Sequence, residues 1–283
     1  MKHIVFNSAG IGSWATGMRV AEKYGTDNII QLFTDTKKLN DNHPHRGEDD
    51  DAYRFLREGA ALIGGNLEWV SAGKDIWRTF EDSRYMGNSR VDPCSRILKR
   101  EMARKWIEDH FKPEEVTLYI GIDWTEAHRA VKNKRFWEPY NVEFPMMDAP
   151  YMTKEEMCQW SESLGLKRPR LYDLGFAHNN CGGFCVKAGL GQFYTLLKTM
   201  PERYAYHEQK QEELFAVLGK RVPFLRQTIN GKLRYLSLKE YREQIEEIER
   251  KNEDVACQID LFDIGGCGCF GDVDDIVEKV ITA

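Results

Sequence analysis

The sequence predicts an α/β protein whose helices wind around a parallel sheet, with a small cysteine-containing extension at the C-terminus. Short apolar runs alternate with helix-like segments through the first half of the chain. The first apolar run leads directly into a loop of glycine and serine, and two glycine-rich cysteine pairs lie in the second half. Strands and helices that alternate at this spacing are typical of right-handed crossovers between parallel strands.

Apolar runs and helical periodicity give the elements of the first half. Strands are predicted at residues 4–6, 29–33, 67–70 and 116–122, and helices at residues 14–24, about 50–63 and 94–111. Ligands of parallel sheets bind beyond the carboxyl ends of the strands. We therefore expect the loop at residues 8–13, Asp35 and residues 123–129 to converge on one edge of the sheet.

The pattern changes after Pro150. Thr153 and Glu156 form a capping box, which predicts the start of a helix there. Further helices are predicted at residues 201–218 and 238–251, with a β-hairpin at 227–238 around Asn230-Gly231. The chain is accordingly divided into an α/β domain at residues 1–150 and a helical and hairpin region at residues 151–283 that carries both cysteine pairs.

Composition narrows the class of protein. Hydrophobic residues make up 42% and charged residues 30%, as in a globular domain. A net charge of −5 argues against duplex binding through a broad basic face. The sequence also contains two local clusters of basic residues, called basic strips below. We interpret them as solvated helix faces, and the alternative is that they bind a nucleic acid. The two strips are Lys99, Arg100, Arg104 and Lys105, and Lys132, Lys134 and Arg135.

The chain has no run of about 18 apolar residues, and its first residues read as a strand rather than a signal peptide. We therefore expect a cytoplasmic protein with no membrane partner, and the oligomeric state stays open. Seven cysteines in such a chain indicate thiol or metal chemistry more than a disulfide framework.

The first loop has the composition of a phosphate-binding turn. It reads Ser8-Ala9-Gly10-Ile11-Gly12-Ser13. Glycines allow an anion to approach the backbone, and a helix N-terminus offers unpaired N–H groups. The loop lacks the Gly-Lys-Ser/Thr of a Walker loop and the third glycine of a dinucleotide fingerprint. It predicts an anion site, with a tight structural turn as the alternative.

This loop resembles the S-G-G-x-D-S signature of the PP-loop ATP pyrophosphatases, an adenine nucleotide alpha hydrolase-like superfamily, in the form found in its phosphoadenylyl-sulfate reductase-like branch. Ser8, Gly10 and Ser13 occupy the family positions. Ala9 stands where the family has glycine, and Gly12 stands where it has aspartate. The missing carboxylate bears on how Mg²⁺ and pyrophosphate are held.

Three later segments resemble the same family in the same order, and the set covers roughly residues 1–200. Residues 33–36 resemble the end of the second strand, where the family backbone meets adenine. Residues 93–99 resemble the C-T-x-x-L-K segment of reductase-like and DNA-phosphorothioation-like members. Residues 121–129 resemble the G-x-x-x-x-E-x-x-R segment. The segments read Phe33-Thr34-Asp35-Thr36, Pro93-Cys94-Ser95-Arg96-Ile97-Leu98-Lys99 and Gly121-Ile122-Asp123-Trp124-Thr125-Glu126-Ala127-His128-Arg129.

The resemblance implies a site for ATP and Mg²⁺ with catalytic residues Cys94, Lys99 and Arg129. Lys99 and Arg129 would neutralise phosphate oxygens. Glu126 and Arg129 lie one helical turn apart and would pair on one face, with an ordinary surface ion pair as the alternative. The implied nucleotide-binding residues are Ser8, Ala9, Gly10, Gly12, Ser13, Phe33, Thr34, Asp35, Gly121, Asp123 and Glu126.

The cysteine pairs predict a metal site. Cys181 and Cys185, together with Cys267 and Cys269, are candidate ligands for Zn²⁺ or an iron–sulfur cluster. The alternative is a set of buried, inert thiols. Cys94 precedes a predicted helix that carries cations, which would lower its pKa. It is either a cluster ligand or a nucleophile that carries sulfur.

Three functions fit these patterns. The first is an ATP-dependent enzyme that adenylates an acceptor, releases pyrophosphate and transfers sulfur. Its acceptor would be a tRNA, a DNA or a small molecule, and its partner a sulfur donor protein. The second is a phosphoadenylyl-sulfate reductase-like oxidoreductase, although the tail around Cys267 lacks that family's Glu-Cys-Gly-Leu-His segment. The third is a non-catalytic module that binds nucleotide or nucleic acid.

Overall fold

A five-stranded, all-parallel sheet lies at the centre of the computed structural model, which describes residues 1–87, 91–229 and 231–263. Its strand order is β3-β2-β1-β4-β5. The predicted α/β class is confirmed, and the four predicted strands are all present. The strands are β1 Lys2–Phe6, β2 Ile29–Asp35, β3 Asn66–Ser71, β4 Val116–Tyr119 and β5 Asn141–Glu143.

The strand order reverses between β1 and β4. The chain adds β2 and β3 on one side of β1, then returns to add β4 and β5 on the other side. Val5 pairs in register with Tyr119 at this junction. Loops that leave two such neighbouring strands run to opposite sides of the sheet, which opens a crevice between them. The topology therefore places the crevice at the loops that follow β1 and β4.

Helices cover both faces of the sheet. The predicted helix at residues 94–111 is present as a π-helical segment, Ser95–Glu101, that continues into α4. The elements α3, α5 and β5 were not predicted. The helices of this half are α1 Ile11–Tyr24, α2 Asp50–Ile63, α3 Ile76–Ser83, α4 Met102–His110 and α5 Ala127–Trp137.

Between residues 151 and 263, the described part of the second half is helical apart from one hairpin, as predicted. Its first helix starts at Thr153, where both hydrogen bonds of the capping box with Glu156 are formed. No helix in the described ranges is long and apolar enough to cross a membrane. The elements are α6 Lys154–Ser163, α7 Arg170–Asp173, α8 Leu190–Thr199, α9 Pro201–Leu218, β6 Leu225–Ile229, β7 Lys232–Leu236, α10 Leu238–Arg250 and α11 Val255–Gln258.

One apolar core joins the second half to part of the first. Trp77 and Phe80 of α3 pack in the same cluster as Phe184, Phe193 and Tyr241. A long segment between β3 and β4 therefore leaves the sheet and buries its apolar side against the second half. The division at residue 150 stays a prediction, as does the cysteine-containing extension, since Cys267 and Cys269 lie outside the described residues.

A buried glutamine fastens the sheet to the start of the phosphate loop. The side chain of Gln31 in β2 donates to the carbonyls of Ala60 and Gly64 at the end of α2, at 3.0 and 2.8 Å. Its oxygen accepts from the Asn7 side chain at 3.0 Å. A buried amide is stable only when its polar groups are paired. Gln31 thus fixes both the end of α2 and Asn7.

We predict that Gln31→Leu lowers the free energy of unfolding by about 1–3 kcal/mol, because two carbonyls and the Asn7 amide lose their buried partner. Urea unfolding followed by circular dichroism measures this change. The matched control is Gln159→Leu, since Gln159 is exposed and its side-chain amide donates to the neighbouring exposed Glu155 at 3.2 Å. Equal losses in the two variants would contradict the role given to Gln31.

Candidate functional site

The phosphate loop carries β1 into α1 with an open helix end. Ala9 has a φ of 60°, in the left-handed region, which explains why glycine suits this position in the family motif. Gly10 is the N-cap of α1 and makes no side-chain capping bond, and the first turn has no acidic residue. The N–H of Ile11 donates to the hydroxyl of Tyr172 at 3.4 Å. This helix end is therefore suited to an anion.

Two polar side chains set the shape of the loop. The N–H of Ser8 donates to the Ser13 hydroxyl at 3.1 Å, and Ser13 donates to the Gly10 carbonyl at 2.8 Å. The N–H of Ala9 donates to Asn7 at 3.1 Å. These hydrogen bonds are made by the protein's own groups and hold the loop in one conformation. The loop backbone is therefore preorganised for a ligand.

A cavity of about 350 Å³ opens between the loops that follow β1 and β4. This size falls within the range of about 300–1,000 Å³ typical of cofactor pockets. Its remaining walls come from the second half of the chain, including Met152, Lys154 and Tyr172. The predicted site residues that line it are Ser8, Gly10, Gly12, Ser13, Gly121, Asp123, Glu126 and Arg129.

The charged wall of this cavity lies at the start of α5. Arg129 and Glu126 form an ion pair, as predicted, and the Arg129 side chain is mostly buried. Asp123 precedes them and accepts from the N–H of Thr125 at 2.8 Å. One guanidinium and two carboxylates therefore face the same space as the start of α1.

The end of β2 does not join this cavity. Asp35 is buried, and its two oxygens accept from the hydroxyl of Tyr53 at 2.8 Å and the indole of Trp69 at 3.1 Å. Burial raises the pKa of Asp35 against these two hydrogen bonds. Phe33 packs edge-on against both aromatic rings, and Thr34 is buried beside it. The expected convergence thus includes the loops after β1 and β4 and leaves out Phe33, Thr34 and Asp35.

Three cysteines line a second, much smaller cavity. Cys94 comes from the segment before the π-helix, and Cys181 and Cys185 come from the Cys-Gly-Gly-Phe-Cys loop. Lys99 lines this second cavity and not the first, and its ammonium pairs with Glu48 at 3.1 Å, both side chains being buried. The structure therefore places Lys99 beside the thiols rather than beside the predicted phosphates.

The basic strip that starts at Lys99 is not a surface strip. Arg100 is buried, with its guanidinium 3.6 Å from the carboxylate of Asp92. Only Arg104 and Lys105 of this group lie on the outside of the helix, where they pair with Glu108 and Asp109. The solvated-face interpretation therefore holds for half of the strip.

The thiol of Cys94 is not activated in the way that the sequence predicts. Burial raises its pKa, and the negative charges of Asp92 and Cys185 add to this effect. The expectation of a lowered pKa is wrong, because Cys94 is partly buried against the apolar core, whereas exposed helix starts favour the thiolate. Lys99 acts in the opposite direction but more weakly.

Two buried charged residues, Glu48 and Arg203, contact the loop at residues 181–183. Neither was a candidate site residue in the sequence analysis. Cys181, Gly182 and Gly183 have φ values of 48°, 58° and 86°. The N–H of Cys181 donates to Glu48. The guanidinium of Arg203 lies so close that a Cβ on Gly182 would meet its Cζ at 2.0 Å. Glu48 and Arg203 lie in segments that show only ordinary charge patterning, so their convergence is visible only in three dimensions.

Neither cavity contains a complete metal site within the described ranges. No three His, Cys, Asp or Glu side chains there are arranged to hold a metal ion. The two remaining predicted ligands, Cys267 and Cys269, fall outside those ranges. Cys94, which the sequence left open as a cluster ligand or a nucleophile, shares a cavity with Cys181 and Cys185.

A short segment joins the two cavities. Asn180 lines both of them. The side-chain amide of Asn179 donates to the Ala9 carbonyl at 2.7 Å, which ties the cysteine loop to the phosphate loop. Both asparagines directly precede Cys181 in the sequence. The contact with Ala9, 170 residues away, had no sequence pattern to predict it.

Two glycines that meet at the cavity floor give a test of its construction. A Cβ on Gly121 would lie 2.9 Å from the backbone of Gly12 and Ser13, whereas a Cβ on Gly12 would meet the Gly121 carbonyl at 3.5 Å. We predict that Gly121→Ala lowers the free energy of unfolding by about 1–3 kcal/mol, because the backbones must separate.

The matched control is Gly12→Ala, which makes an ordinary contact and replaces a glycine within α1. It should leave stability unchanged or raise it slightly, since alanine favours a helix. Thermal unfolding of both variants measures the difference. A Gly121→Ala variant as stable as the control would show that this approach is not tight.

No family model matches the chain, and no curated protein matches it at a significant level. The likeness to PP-loop enzymes therefore depends on the motifs named above, and function has to be inferred from the two cavities.

Proposed function

We propose that the protein binds ATP between β1 and β4, adenylates an acceptor and releases pyrophosphate. The observation that carries this proposal is the N-terminus of α1, whose N-cap Gly10 has no capping side chain and which opens into a cavity whose opposite wall carries Arg129. Backbone N–H groups and a guanidinium are the donors that bind phosphate oxygens best. The position at the reversal of strand order agrees with where open parallel sheets bind nucleotides.

The chemistry follows from these donors. An oxygen of the acceptor attacks the α-phosphate of ATP, and the bond to pyrophosphate breaks. Negative charge on the leaving pyrophosphate is neutralised by Arg129 and by the N–H groups at the start of α1. Mg²⁺ needs only one or two carboxylates in addition to phosphates, and Asp123 and Glu126 line the cavity. They supply the carboxylate that Gly12 lacks relative to the family motif.

The thiol cavity suits a second step in which a sulfur species displaces AMP from the adenylated acceptor. We propose that Cys181 and Cys185 hold Zn²⁺ or an iron–sulfur cluster together with Cys267 and Cys269. Thiolates are soft donors that favour these metals. Cys94 lines the same cavity, so it is an additional candidate ligand. Its raised pKa gives it less support as a free nucleophile.

We predict that Arg129→Ala weakens ATP binding by about 10- to 100-fold, the effect of removing a charge-assisted hydrogen bond to phosphate. Isothermal titration calorimetry with Mg-ATP measures the affinity. Arg250→Ala is the matched control, because Arg250 also pairs with a glutamate three residues earlier but its side chain is exposed at the end of α10.

Equal affinity in both variants would place the nucleotide elsewhere. Release of AMP and pyrophosphate in the presence of an acceptor would support an enzyme. Tight binding of ATP without turnover would favour the non-catalytic module, and sulfite formation from phosphoadenylyl sulfate with a thiol reductant would favour the reductase.

We predict that protein purified without oxygen contains zinc, or iron with acid-labile sulfide, and that Cys181→Ser and Cys185→Ser each lose most of it, because a thiolate ligand is replaced by a weak hydroxyl donor. Elemental analysis measures the metal per chain. Cys257→Ser is the control, since Cys257 is exposed and lies away from the cavity. Metal-free wild-type protein would make the thiols inert core residues.

A further inference from the structure

The outer part of the β6–β7 hairpin is exposed on both faces. Its base is anchored, because Leu225 and Leu236 pair in register and are buried in the core that also contains Phe184. Beyond this base, every described residue from 228 to 235 is exposed, and successive residues of a strand point to opposite faces. A two-stranded ribbon is only marginally stable in water by itself. The hairpin therefore projects from the body as a thin ribbon that is held at one end.

Positive charge is concentrated on this hairpin. The stretch from residue 214 to residue 239 contains six lysines and arginines and no aspartate or glutamate, in a chain whose net charge is −5. One of the six, Arg221, pairs with a glutamate in the first turn of α10 at 3.0 Å. The hairpin itself carries Arg226, Lys232 and Arg234, which are all exposed, and none of these three side chains pairs with a carboxylate in the described part of the chain. Their charge is therefore available to a ligand.

Both faces of the hairpin combine a cation with an exposed apolar side chain. Arg226 lies opposite Tyr235 in the register, so the two share one face of the ribbon. Lys232 lies opposite Ile229, and these two share the other face with Arg234. Tyr235 is 45% exposed and Ile229 is 41% exposed. A complementary ligand therefore offers negative charge to both faces of the ribbon at once, which a flat surface such as an anionic membrane cannot do.

We propose that the hairpin enters the major groove of double-stranded DNA, with one row of phosphates beside each face. A sheet with its side chains is about 10 Å thick, and the major groove of B-DNA is about 12 Å wide and admits a two-stranded ribbon. The major groove of an RNA duplex is too narrow for side chains to read. A single strand has one backbone and contacts one face of the ribbon. Edge-to-edge pairing with the hairpin of a second copy is opposed by the like charges of the two hairpins.

The base of the hairpin contacts the loop that carries two of the thiols. The ring of Phe224, directly before β6, packs against the ring of Phe184, and their centroids are 6.2 Å apart. Phe184 lies between Cys181 and Cys185 and lines the smaller cavity. The anchored end of the hairpin therefore has a fixed position relative to that cavity. Binding of a duplex needs no nucleotide chemistry, so this inference goes beyond the proposed function and does not depend on it.

The experiment measures fluorescence anisotropy of 5′-fluorescein probes with the whole protein at several salt concentrations. The probes share one sequence of about 20 base pairs, two turns of the double helix, and are a DNA duplex, one of its strands and the corresponding RNA duplex. We expect the DNA duplex to bind most tightly. Arg226→Gln, Lys232→Gln and Arg234→Gln should each weaken that binding by about 5-fold or more, because each removes one phosphate contact. Each should also reduce the slope of log affinity against log salt by about 1.

Lys38→Gln is the matched control, since Lys38 is an exposed lysine in the loop between β2 and α2. It should leave both the affinity for the duplex and the salt slope unchanged. Tyr235→Ala should weaken binding of the duplex without changing the salt slope, because it removes an uncharged contact. Circular dichroism of every variant should match that of the wild-type protein, since all the substituted side chains are exposed.

An equal loss in the control, full affinity in all three cation variants, or a single strand or RNA duplex that binds as tightly as the DNA duplex would overturn the proposal. A dimer in analytical ultracentrifugation that depends on the hairpin cations, with no binding of the duplex, would overturn it in favour of a second copy. If wild-type protein binds no ATP yet keeps hairpin-dependent binding of the duplex, the adenylation proposal fails and the DNA-binding hairpin stands.

Discussion

The backbone contact between Gly12 and Gly121 is the constraint on which the rest of the site depends. It lets the first turn of α1 lie directly against the chain that leaves β4, with no side chain between them. The wall that carries Arg129 can then face the start of α1 across a space of about 350 Å³. Parallel strands lie only about 4.7–4.9 Å apart and leave little room between the loops that follow them, so a side chain on Gly121 would move the donors on either wall.

Buried charged side chains hold the loops around the smaller cavity in place. Glu48 links Lys99 to the backbone of Cys181, and Arg203 donates to the Gly47 carbonyl at 2.8 Å from the other side. Buried ion pairs add little net stability because desolvation offsets the attraction, but breaking one is costly. Such ion pairs therefore fix the relative positions of the segments that carry them more than they raise the free energy of unfolding. In this protein they fix the thiol loop, the loop before α2 and the π-helix relative to one another.

The sequence predicted elements whose periodicity is regular and whose ends carry local chemistry. The strand β1, the helix from Asp50 and the capping box at Thr153 are examples, because each is determined by residues within a few positions. The predicted roles of Asp35 and Lys99 depended instead on partners far along the chain. Asp35 accepts hydrogen bonds from Tyr53 and Trp69, and Lys99 forms an ion pair with Glu48. No local pattern contains those pairings, so motif order alone placed both residues at the nucleotide.

The bond from Asn179 to Ala9 has a thermodynamic consequence. It gives the phosphate loop and the thiol loop a shared part, and Asn180 borders both cavities. Coupling between two binding equilibria is reciprocal. If occupancy of one cavity strains or strengthens that bond, occupancy of the other changes the first affinity by the same factor. The strength of the coupling between the two cavities then depends on a single side-chain amide, which is separate from the groups that bind the ligands.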